Sequence, residues 1–147
     1  MFRTLLFSPG NNPKRMKKAL DLPADAIIFD LEDAVAVTEK ESARNIISEV
    51  LSQQQQPRKE IIVRVNALDT PYAVGDMEAI VPKKPDGIML PKSETAEAIK
   101  EVAERISQLE KQAGMEEGTI ALFPLVETAV GVLNAREKPQ RLTESSV

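Results

Sequence analysis

Charged side chains in this sequence stand where short apolar runs end, and their types suit one kind of chemistry. Four carboxylates and one guanidinium share this position: Asp30, Glu32, Asp33, Glu127 and Arg64. Carboxylate oxygens are the ligands that hard dications such as Mg²⁺ or Mn²⁺ prefer. A planar guanidinium binds a carboxylate through two parallel hydrogen bonds. The combination predicts a site that holds an anionic substrate together with a divalent metal ion, with Lys92 as a further mobile positive charge.

Two residue types are missing, and their absence narrows the possible chemistry. The 147-residue sequence contains no histidine and no cysteine. Without histidine, imidazole acid–base catalysis, Ser-His triads and ordinary zinc sites are excluded. Without cysteine, disulfides and thiolate metal sites are excluded as well. Any catalysis must therefore use Asp, Glu, Lys, Arg or Tyr, and any bound metal must have oxygen ligands.

Composition also limits the expected partners and location. The net charge is -4, aromatic residues make up 3% of the chain, and no basic block is present, so nucleic acid is not expected as a partner. No stretch approaches the roughly 20 apolar residues of a membrane span. The apolar start is interrupted by Pro9 and Gly10, which indicates a strand and a turn rather than a signal peptide. We expect a cytoplasmic protein with no membrane partner.

The elements that must position the charged residues are predicted to be buried parallel strands. Short continuous apolar runs rich in Ile, Val, Leu and Phe are typical of strands that are covered on both faces. The sequence contains five such runs: RTLLF (3–7), DAIIFD (25–30), EIIVRV (60–65), DGIML (86–90) and TIALFPL (119–125). In a parallel α/β sheet the ligand site lies beyond the carboxyl ends of the strands. The charged residues are therefore expected at one rim.

Helices are predicted in the intervals between these runs. Asn12 followed by Pro13 marks a helix start, and Thr38 with Glu41 has the spacing of a capping box. Further helices are expected near 72–81, after Ser93 with Gly114 as the stop signal, and from Thr128 to about residue 136. The stretch 53–59 is predicted to be a loop. We expect one α/β domain over residues 1–136, followed by a polar tail over residues 137–147.

Five βα units are compatible with two architectures. One is a doubly wound sheet of the flavodoxin or receiver kind, whose strand order is 2-1-3-4-5. The other is the front part of an eight-unit barrel, whose strands run 1-2-3-4-5. A receiver resembles a site with an acidic pair after the first strand, an aspartate after the third and a lysine after the fifth. Those positions hold Ser8-Pro9-Gly10, Arg64 and Glu127, so the barrel is favoured.

Five motifs, in order and at natural spacings, carry a resemblance to a known family. They are RTLLFSPGNNPKRMKKAL, DAIIFDLEDAV, VRVNALDT, DGIMLPKSE and PLVETAVGVLNA. From residue 2 to about 136 the sequence resembles the citrate lyase β-subunit group of the HpcH/HpaI aldolase superfamily. The resemblance implies a partial TIM (β/α) barrel with about five of eight units. It also implies a Mg²⁺-dependent carbon–carbon lyase that cleaves a citryl-, malyl- or citramalyl-thioester to a 2-oxo acid and an acetyl thioester.

The resemblance also implies roles for individual residues. Arg64 of VRVN would grip the oxo-acid carboxylate, and Glu127 of VETA would be a metal ligand that borders the substrate. The acids of DLED resemble residues that hold metal-bound waters: Asp30, Glu32 and Asp33. Retro-aldol cleavage develops negative charge on the substrate, and Mg²⁺ lowers the cost of that charge.

Partners follow from the same resemblance. The thioester would be carried by CoA or by an acyl carrier protein, and the turn that contains Lys14 and Arg15 would meet the CoA end. Lys92, in contrast, is expected to form a surface salt bridge. Relatives of this kind commonly assemble as trimers or hexamers, so a homo-oligomer or a lyase complex is expected.

One departure from the family pattern changes the expected activity. Relatives supply a second metal carboxylate from a GAED-like segment after a sixth strand, and this sequence contains no such segment. Five units alone leave the first and fifth strands with unpaired edges. We expect a truncated lyase chain with impaired activity, or open edges that another chain covers. The alternatives are a non-catalytic remnant or assembly subunit that binds an acyl-CoA or a partner, and a flavodoxin-like binding module.

Overall fold

Five strands alternate with helices along the chain. The computed structural model describes residues 2–54 and 59–137. The strands are β1 (Leu5–Pro9), β2 (Ala26–Asp30), β3 (Glu60–Arg64), β4 (Gly87–Leu90) and β5 (Ala121–Pro124). The helices are α1 (Pro13–Asp21), α2 (Lys40–Gln53), α3 (Ala73–Ile80), α4 (Ala96–Gln112) and α5 (Ala129–Leu133). All five predicted apolar runs therefore form strands.

The strand order distinguishes the two predicted architectures. The sheet runs β1-β2-β3-β4-β5, and every neighbouring pair is parallel. A flavodoxin-like sheet would place β1 inside the sheet, between the second and third strands. The observed order is that of consecutive units in a (β/α) barrel. The flavodoxin-like alternative is therefore wrong.

The first strand lies two residues further along the chain than predicted. Its residues Ser8 and Pro9 pair with Phe29 and Asp30, so the strand reaches the charged rim. Proline is tolerated here because β1 is an edge strand, where its missing N–H breaks no ladder of bonds on the open side.

Helix starts follow local capping chemistry in three of the five helices, whereas α2 and α3 begin without a side-chain cap. Asn12, Thr95 and Thr128 each accept a hydrogen bond from a backbone N–H in the first turn of α1, α4 and α5. The predicted capping box at Thr38 is wrong. Residues Val37–Glu39 form a 3-10 turn, α2 begins at Lys40, and no side chain caps it. A tertiary contact accounts for the difference, because the Lys40 ammonium binds the loop after β2.

The two faces of the sheet carry different residues. Ile27, Phe29, Ile61 and Val63 belong to the larger core cluster, which packs the sheet against the helices. The opposite face, called the inner face here, carries a smaller buried cluster: Ala26, Ile28, Ile62 and Met89. Side chains alternate between faces along a strand. Asp30 and Arg64, two residues beyond Ile28 and Ile62, therefore also project to the inner face.

A close backbone approach fixes the turn that follows β1. The N–H of Gly10 donates to the carbonyl of Asp30 at 2.9 Å. A Cβ at residue 10 would lie 2.7 Å from that carbonyl oxygen and 2.6 Å from Cδ1 of Ile47. Only glycine leaves space for this contact, which ties the exits of β1 and β2 together.

Two predicted segments fall mainly outside the described residues. They are the central part of the 53–59 loop and all of the 137–147 tail except the backbone of residue 137. Within the part of the chain that is described, no helix combines the length and apolar character needed to cross a membrane.

Candidate active site

A buried ion pair stands at the carboxyl ends of β2 and β3. Asp30 and Arg64 are register partners in the parallel ladder, so their side chains lie side by side on the inner face. Nε and Nη2 of Arg64 donate to the two oxygens of Asp30 at 2.8 Å and 2.7 Å. The same oxygens accept the backbone N–H groups of Glu32 and Ala34. Four donors therefore satisfy Asp30 and aim the guanidinium along the rim.

These hydrogen bonds determine the protonation of Asp30. Burial alone would favour the neutral acid. The hydrogen bonds from Arg64 and from the two backbone amides outweigh burial and hold the pKa of Asp30 below its usual value. Asp30 is therefore ionised at neutral pH and serves as the anchor of Arg64.

Glu32 occupies a less satisfied position on the other side of the guanidinium. Its Oε2 lies 3.2 Å from Nη1 of Arg64, yet it is buried and has no hydrogen-bond partner among the described residues. Burial raises the pKa of Glu32, and the nearby charges of Asp33 and Glu127 raise it as well. The positive charge of Arg64 lowers this pKa but does not outweigh burial. One oxygen of this carboxylate therefore has unused acceptor capacity.

Lys92 connects this group to the exit of β5. Its ammonium nitrogen lies 3.6 Å from Oε1 of Glu32, and its backbone N–H donates to Oε1 of Glu127 at 2.9 Å. One chain of contacts thus crosses the exits of β2, β3, β4 and β5. The group, called the mouth here, consists of Arg64, Glu32, Lys92 and Glu127. Glu127 and Arg64 open at the same end of the sheet.

Two further side chains border the Arg64 guanidinium. Asp33 is mostly exposed, and its Oδ2 lies 3.6 Å from Nη1. The ring of Phe7, on β1, stands 5.0 Å from Cζ of Arg64, within the range of a cation–π contact. The guanidinium therefore lies between carboxylates at the rim and an aromatic ring on the inner face.

Lys40 is a functional candidate that the sequence prediction missed. Its ammonium is buried and donates to the carbonyls of Leu31 and Glu32 at 2.6 Å and 2.5 Å. Burial lowers the pKa of Lys40, while surrounding carboxylates, that of Asp76 foremost, oppose the shift. These two hydrogen bonds hold the backbone of the DLED turn against the start of α2. A lysine at the first position of a helix opposes the helix dipole, and this unfavourable placement was the available sequence signal.

A second buried network supports the exit of β3. Asp76, fully buried on α3, accepts the backbone and side-chain N–H groups of Asn66 at 2.9 Å and 2.7 Å. Its other oxygen accepts Nε and Nη2 of Arg44. Asn66 follows Arg64 by two residues, so this network holds the strand end that presents the guanidinium. The sequence pattern placed Asp76 only in a weakly marked helix.

The structure separates the predicted site residues into two groups. The contacts described above bring together Arg64, the three acids of DLED, Lys92 and Glu127. Lys14 and Arg15 instead lie exposed in the first turn of α1, and no hydrogen bond or ion pair of the described residues links their side chains to this group. Among the same described residues, no three acidic side chains converge closely enough to form a complete metal cage.

Comparison with known proteins agrees with this architecture. Residues 3–138 match the family model described as HpcH/HpaI aldolase/citrate lyase. The citrate lyase subunit beta of Leuconostoc mesenteroides subsp. cremoris is 44% identical over 135 residues, which cover 92% of this chain and 45% of that protein. A (3S)-malyl-CoA thioesterase from Cereibacter sphaeroides is 40% identical over 136 residues, which cover 92% of this chain and 44% of that protein.

A solved structure extends the likeness to three dimensions. The citrate lyase beta subunit of M. tuberculosis, complexed with oxaloacetate and magnesium, superposes with a TM-score of 0.70 at 34% identity. The match covers 90% of this chain and 51% of that one. The chain thus spans about half the length of the relatives it matches, and its five units form a partial TIM (β/α) barrel, as predicted. It belongs to the HpcH/HpaI aldolase/citrate lyase family.

Proposed function

We propose that this chain carries the substrate-facing rim of a Mg²⁺-dependent carbon–carbon lyase of the citrate lyase β-subunit type. The reaction would cleave a citryl-, malyl- or citramalyl-thioester to a 2-oxo acid and an acetyl thioester. One observation carries the proposal: Arg64, Glu32, Lys92 and Glu127 are linked by contacts of 2.9 to 3.6 Å across a single mouth. A cation for an anionic substrate and carboxylates for a dication therefore stand within reach of one small molecule.

The residues present suit a magnesium ion chemically. The side chains of the mouth that could ligate a metal are carboxylates, and Mg²⁺ is bound through one or two carboxylates together with waters and substrate oxygens. Glu32 Oε2, 3.2 Å from Nη1 of Arg64, has no hydrogen-bond partner among the described residues, so it could accept a hydrogen bond from a metal-bound water. Glu127 would bind the ion directly, and Glu32 and Asp33 would hold its waters. When bound, the ion lowers the cost of negative charge that develops on the substrate oxygen.

The chain's own residues would orient the substrate. Arg64 is held by Asp30 through two hydrogen bonds and lies against the ring of Phe7, so its remaining N–H groups point in a fixed direction. Such a prearranged cation binds an oxo-acid carboxylate without first losing conformational freedom. Asp30 has both oxygens engaged, and we therefore assign it to Arg64 rather than to the metal waters.

The partners proposed for this site are an oxo acid and a thioester of CoA or of an acyl carrier protein, within a homo-oligomer or a lyase complex in the cytoplasm. The relatives support this choice, since one is a subunit of citrate lyase and another acts on malyl-CoA by name. The assignment of Lys14 and Arg15 to the CoA end stays a prediction.

A binding role without turnover is the second candidate. It is favoured by the engagement of the Arg64 guanidinium, whose Nε and Nη2 serve Asp30 while Nη1 faces Glu32. A guanidinium engaged in this way already neutralises Asp30 and Glu32, so its charge is shared between the protein and the carboxylate of a ligand. This chain would then bind an acyl-CoA or a partner and leave the bond intact.

Substitution of Glu127 tests the proposal, because this exposed carboxylate contributes little to folding. We expect Mg²⁺ to raise the thermal unfolding midpoint of the protein, and oxaloacetate to raise it further in the presence of Mg²⁺. Glu127→Gln should abolish the response to Mg²⁺. Glu116→Gln, the same charge change on an exposed residue before β5, should retain it. Release of a 2-oxo acid from citryl-CoA, malyl-CoA or citramalyl-CoA, followed in the same samples, separates catalysis from binding.

Each result has a distinct meaning. A Mg²⁺ response that Glu127→Gln removes, together with oxo-acid release, supports the lyase. The same response without release from any of the three thioesters favours the binding role. Equal Mg²⁺ responses in the Glu127 and Glu116 variants would contradict the proposed metal site.

A further inference from the structure

Lys92 adopts a backbone conformation that is unusual for its residue type. Its φ is 48°, in the left-handed region that lysine visits at a cost and glycine visits freely. Lys84, with φ of 56°, is the other described non-glycine residue in this region. The conformation of Lys84 has a local cause, since this residue terminates the 3-10 turn Val81–Lys83 and its N–H donates to the carbonyl of Val81. Lys92 terminates no helix and is the second residue after β4, in the segment that leads to α4.

In this conformation Lys92 also makes contacts with residues distant in the chain. Its backbone N–H donates to Oε1 of Glu127 at 2.9 Å, across 35 residues of chain. Its ammonium lies 3.6 Å from Oε1 of Glu32. Lys92 therefore touches both carboxylates of the mouth, one through the backbone and the other through the side chain.

The backbone around Lys92 is anchored on both sides. The N–H of Ser93 donates to the carbonyl of Leu125 at 3.0 Å, and the N–H of Leu125 donates to the carbonyl of Leu90 at 2.8 Å. The hydroxyl of Ser93 closes the turn on the carbonyl of Leu90. These bonds join the exits of β4 and β5, so the Lys92 N–H stands at a fixed place relative to the strand end that carries Glu127.

We propose that Lys92 is the positioning residue of Glu127: its left-handed backbone presents an N–H to the carboxylate, while its ammonium balances Glu32. The proposal rests on the metal role proposed for Glu127. A hydrogen-bonded outer partner fixes the direction of a metal-binding carboxylate. The backbone function requires the left-handed conformation and not the lysine side chain, and this separates the two contributions experimentally.

The hydrogen bond itself can be tested without any metal. In ¹⁵N-labelled protein, Glu127→Ala should move the Lys92 amide proton resonance upfield, because the carboxylate acceptor is lost. The Lys84 amide, whose acceptor is the Val81 carbonyl at 3.0 Å, should not move. An unmoved Lys92 resonance would overturn the inference, whatever the protein does with Mg²⁺.

Its consequence for the site is tested by a pair of substitutions that change charge equally and backbone preference oppositely. Lys92→Gly and Lys92→Val both remove the ammonium, but glycine accepts the left-handed region and valine resists it. We expect Lys92→Gly to keep the backbone N–H in place for Glu127 and therefore to bind Mg²⁺. Lys92→Val should bind it about tenfold more weakly than Lys92→Gly, the size usual for loss of an outer partner. Lys84→Gly and Lys84→Val, the matched pair at the other end of β4, should bind Mg²⁺ equally.

The outcomes separate the two proposals. Equal Mg²⁺ affinity of Lys92→Gly and Lys92→Val overturns the positioning role even if the site binds metal. Absence of any Mg²⁺ response in the unaltered protein contradicts the proposed function instead, and the amide resonance then decides alone whether Lys92 holds Glu127. Should Lys92→Val fail to fold, the same amide measurement on Glu127→Ala keeps the inference open to refutation.

Discussion

At the residue scale, the exit of β2 carries two buried carboxylates that differ in how well they are satisfied. Asp30 accepts four hydrogen bonds and is held ionised, whereas Glu32 has one oxygen without a partner among the described residues and a raised pKa. Ionised Asp30 therefore stabilises the folded protein, whereas ionised Glu32 destabilises it. Unsatisfied groups of this kind are where a fold gives up stability for a functional site.

Loss of the Asp30 charge is expected to destabilise the protein strongly. Asp30→Asn removes one partner of a buried pair and leaves the Arg64 guanidinium less compensated, which costs about 3 kcal/mol in the free energy of unfolding. Asp33→Asn, a matched change on an exposed acid 3.6 Å from the same guanidinium, should cost less than about 1 kcal/mol. Urea unfolding at pH 7 measures both. Similar losses in the two variants would contradict the anchoring role of Asp30.

Lys40 provides a second prediction at this scale. Lys40→Met keeps an unbranched side chain but leaves the carbonyls of Leu31 and Glu32 without their donor, at a cost of about 2 kcal/mol in unfolding free energy. Lys17→Met, on the exposed side of α1, is the control and should change stability by less than about 0.5 kcal/mol. The readout is the urea midpoint at constant slope. A Lys40 variant as stable as the Lys17 variant would mean that the ammonium contributes nothing to the turn.

At the element scale, acids hold backbone N–H groups at the amino ends of the strands as well as at their carboxyl ends. Each of three carboxylates accepts backbone N–H groups at or next to the start of a neighbouring strand. They are Asp25 with Arg3 and Thr4, Asp86 with Ile61, and Glu110 with Gly118 and Ile120. In (β/α) barrels the amino ends serve stability and the carboxyl ends serve chemistry. These three acids lie at the amino ends and hold backbone N–H groups there, so they fit the stabilising role.

The Asp25 contact predicts a specific pH dependence. Hydrogen bonds from the amides of Arg3 and Thr4 hold the pKa of Asp25 below its usual value. The stabilisation is therefore present above the unfolded-state pKa of about 3.9 and is lost as pH falls through the lower folded-state pKa. Asp25→Asn should be less stable than the unaltered protein at pH 6, and the difference should shrink on acidification below pH 4.

Urea unfolding measured from pH 6 to pH 3 tests this expectation. Asp21→Asn, on an exposed residue at the end of α1, provides the comparison and should track the unaltered protein throughout. A gap between Asp25→Asn and the unaltered protein that stays constant over this range would show that the Asp25 charge is not responsible.

At the scale of the whole molecule, the sheet has a protected centre and two open sides. Among the described residues β1 pairs only with β2 and β5 only with β4. On the inner face Leu5 and Phe7 of β1 are about half exposed, at 47% and 48%, whereas Ile28 of β2 is fully buried. Strand edges with apolar neighbours are sites where further strands can pair. In the barrel of the relatives such edges do not exist.

This asymmetry predicts the pattern of amide hydrogen exchange. Amides of β2 and β3 lie between paired strands under a buried core and should exchange slowest, at rates set by global unfolding. Amides of β5, an edge strand, should exchange faster through local opening. Exchange followed by NMR or mass spectrometry on the unaltered protein measures both. Protection of β5 equal to that of β2 would indicate that another chain covers this edge in solution.

The sequence alone determined the strands and the kind of chemistry. Continuous apolar runs such as DAIIFD and EIIVRV leave few alternatives to buried parallel strands, since both faces must be covered. Because the sequence has no histidine and no cysteine, any metal ligand in the site must be an oxygen atom, and its cations must be lysine or arginine side chains. The charged residues that end these runs, Arg64 and Glu127 among them, are therefore identifiable as site candidates from the order of amino acids.

Only the tertiary structure decided which of these groups touch and what supports them. The strand order and the contacts of the left-handed Lys92 depend on partners distant in the chain. The Lys40 contacts, found where a cap at Thr38 was predicted, reach back eight and nine residues, beyond the range of a helix cap. The bonds from Arg64 to Asp30 and from Lys92 to Glu127 cross 34 and 35 residues. Periodicity and capping rules read neighbours within a few positions. Contacts across such separations form only when the strands align in one sheet. The sequence pattern therefore identifies the charged groups, and the fold determines which of them are in contact.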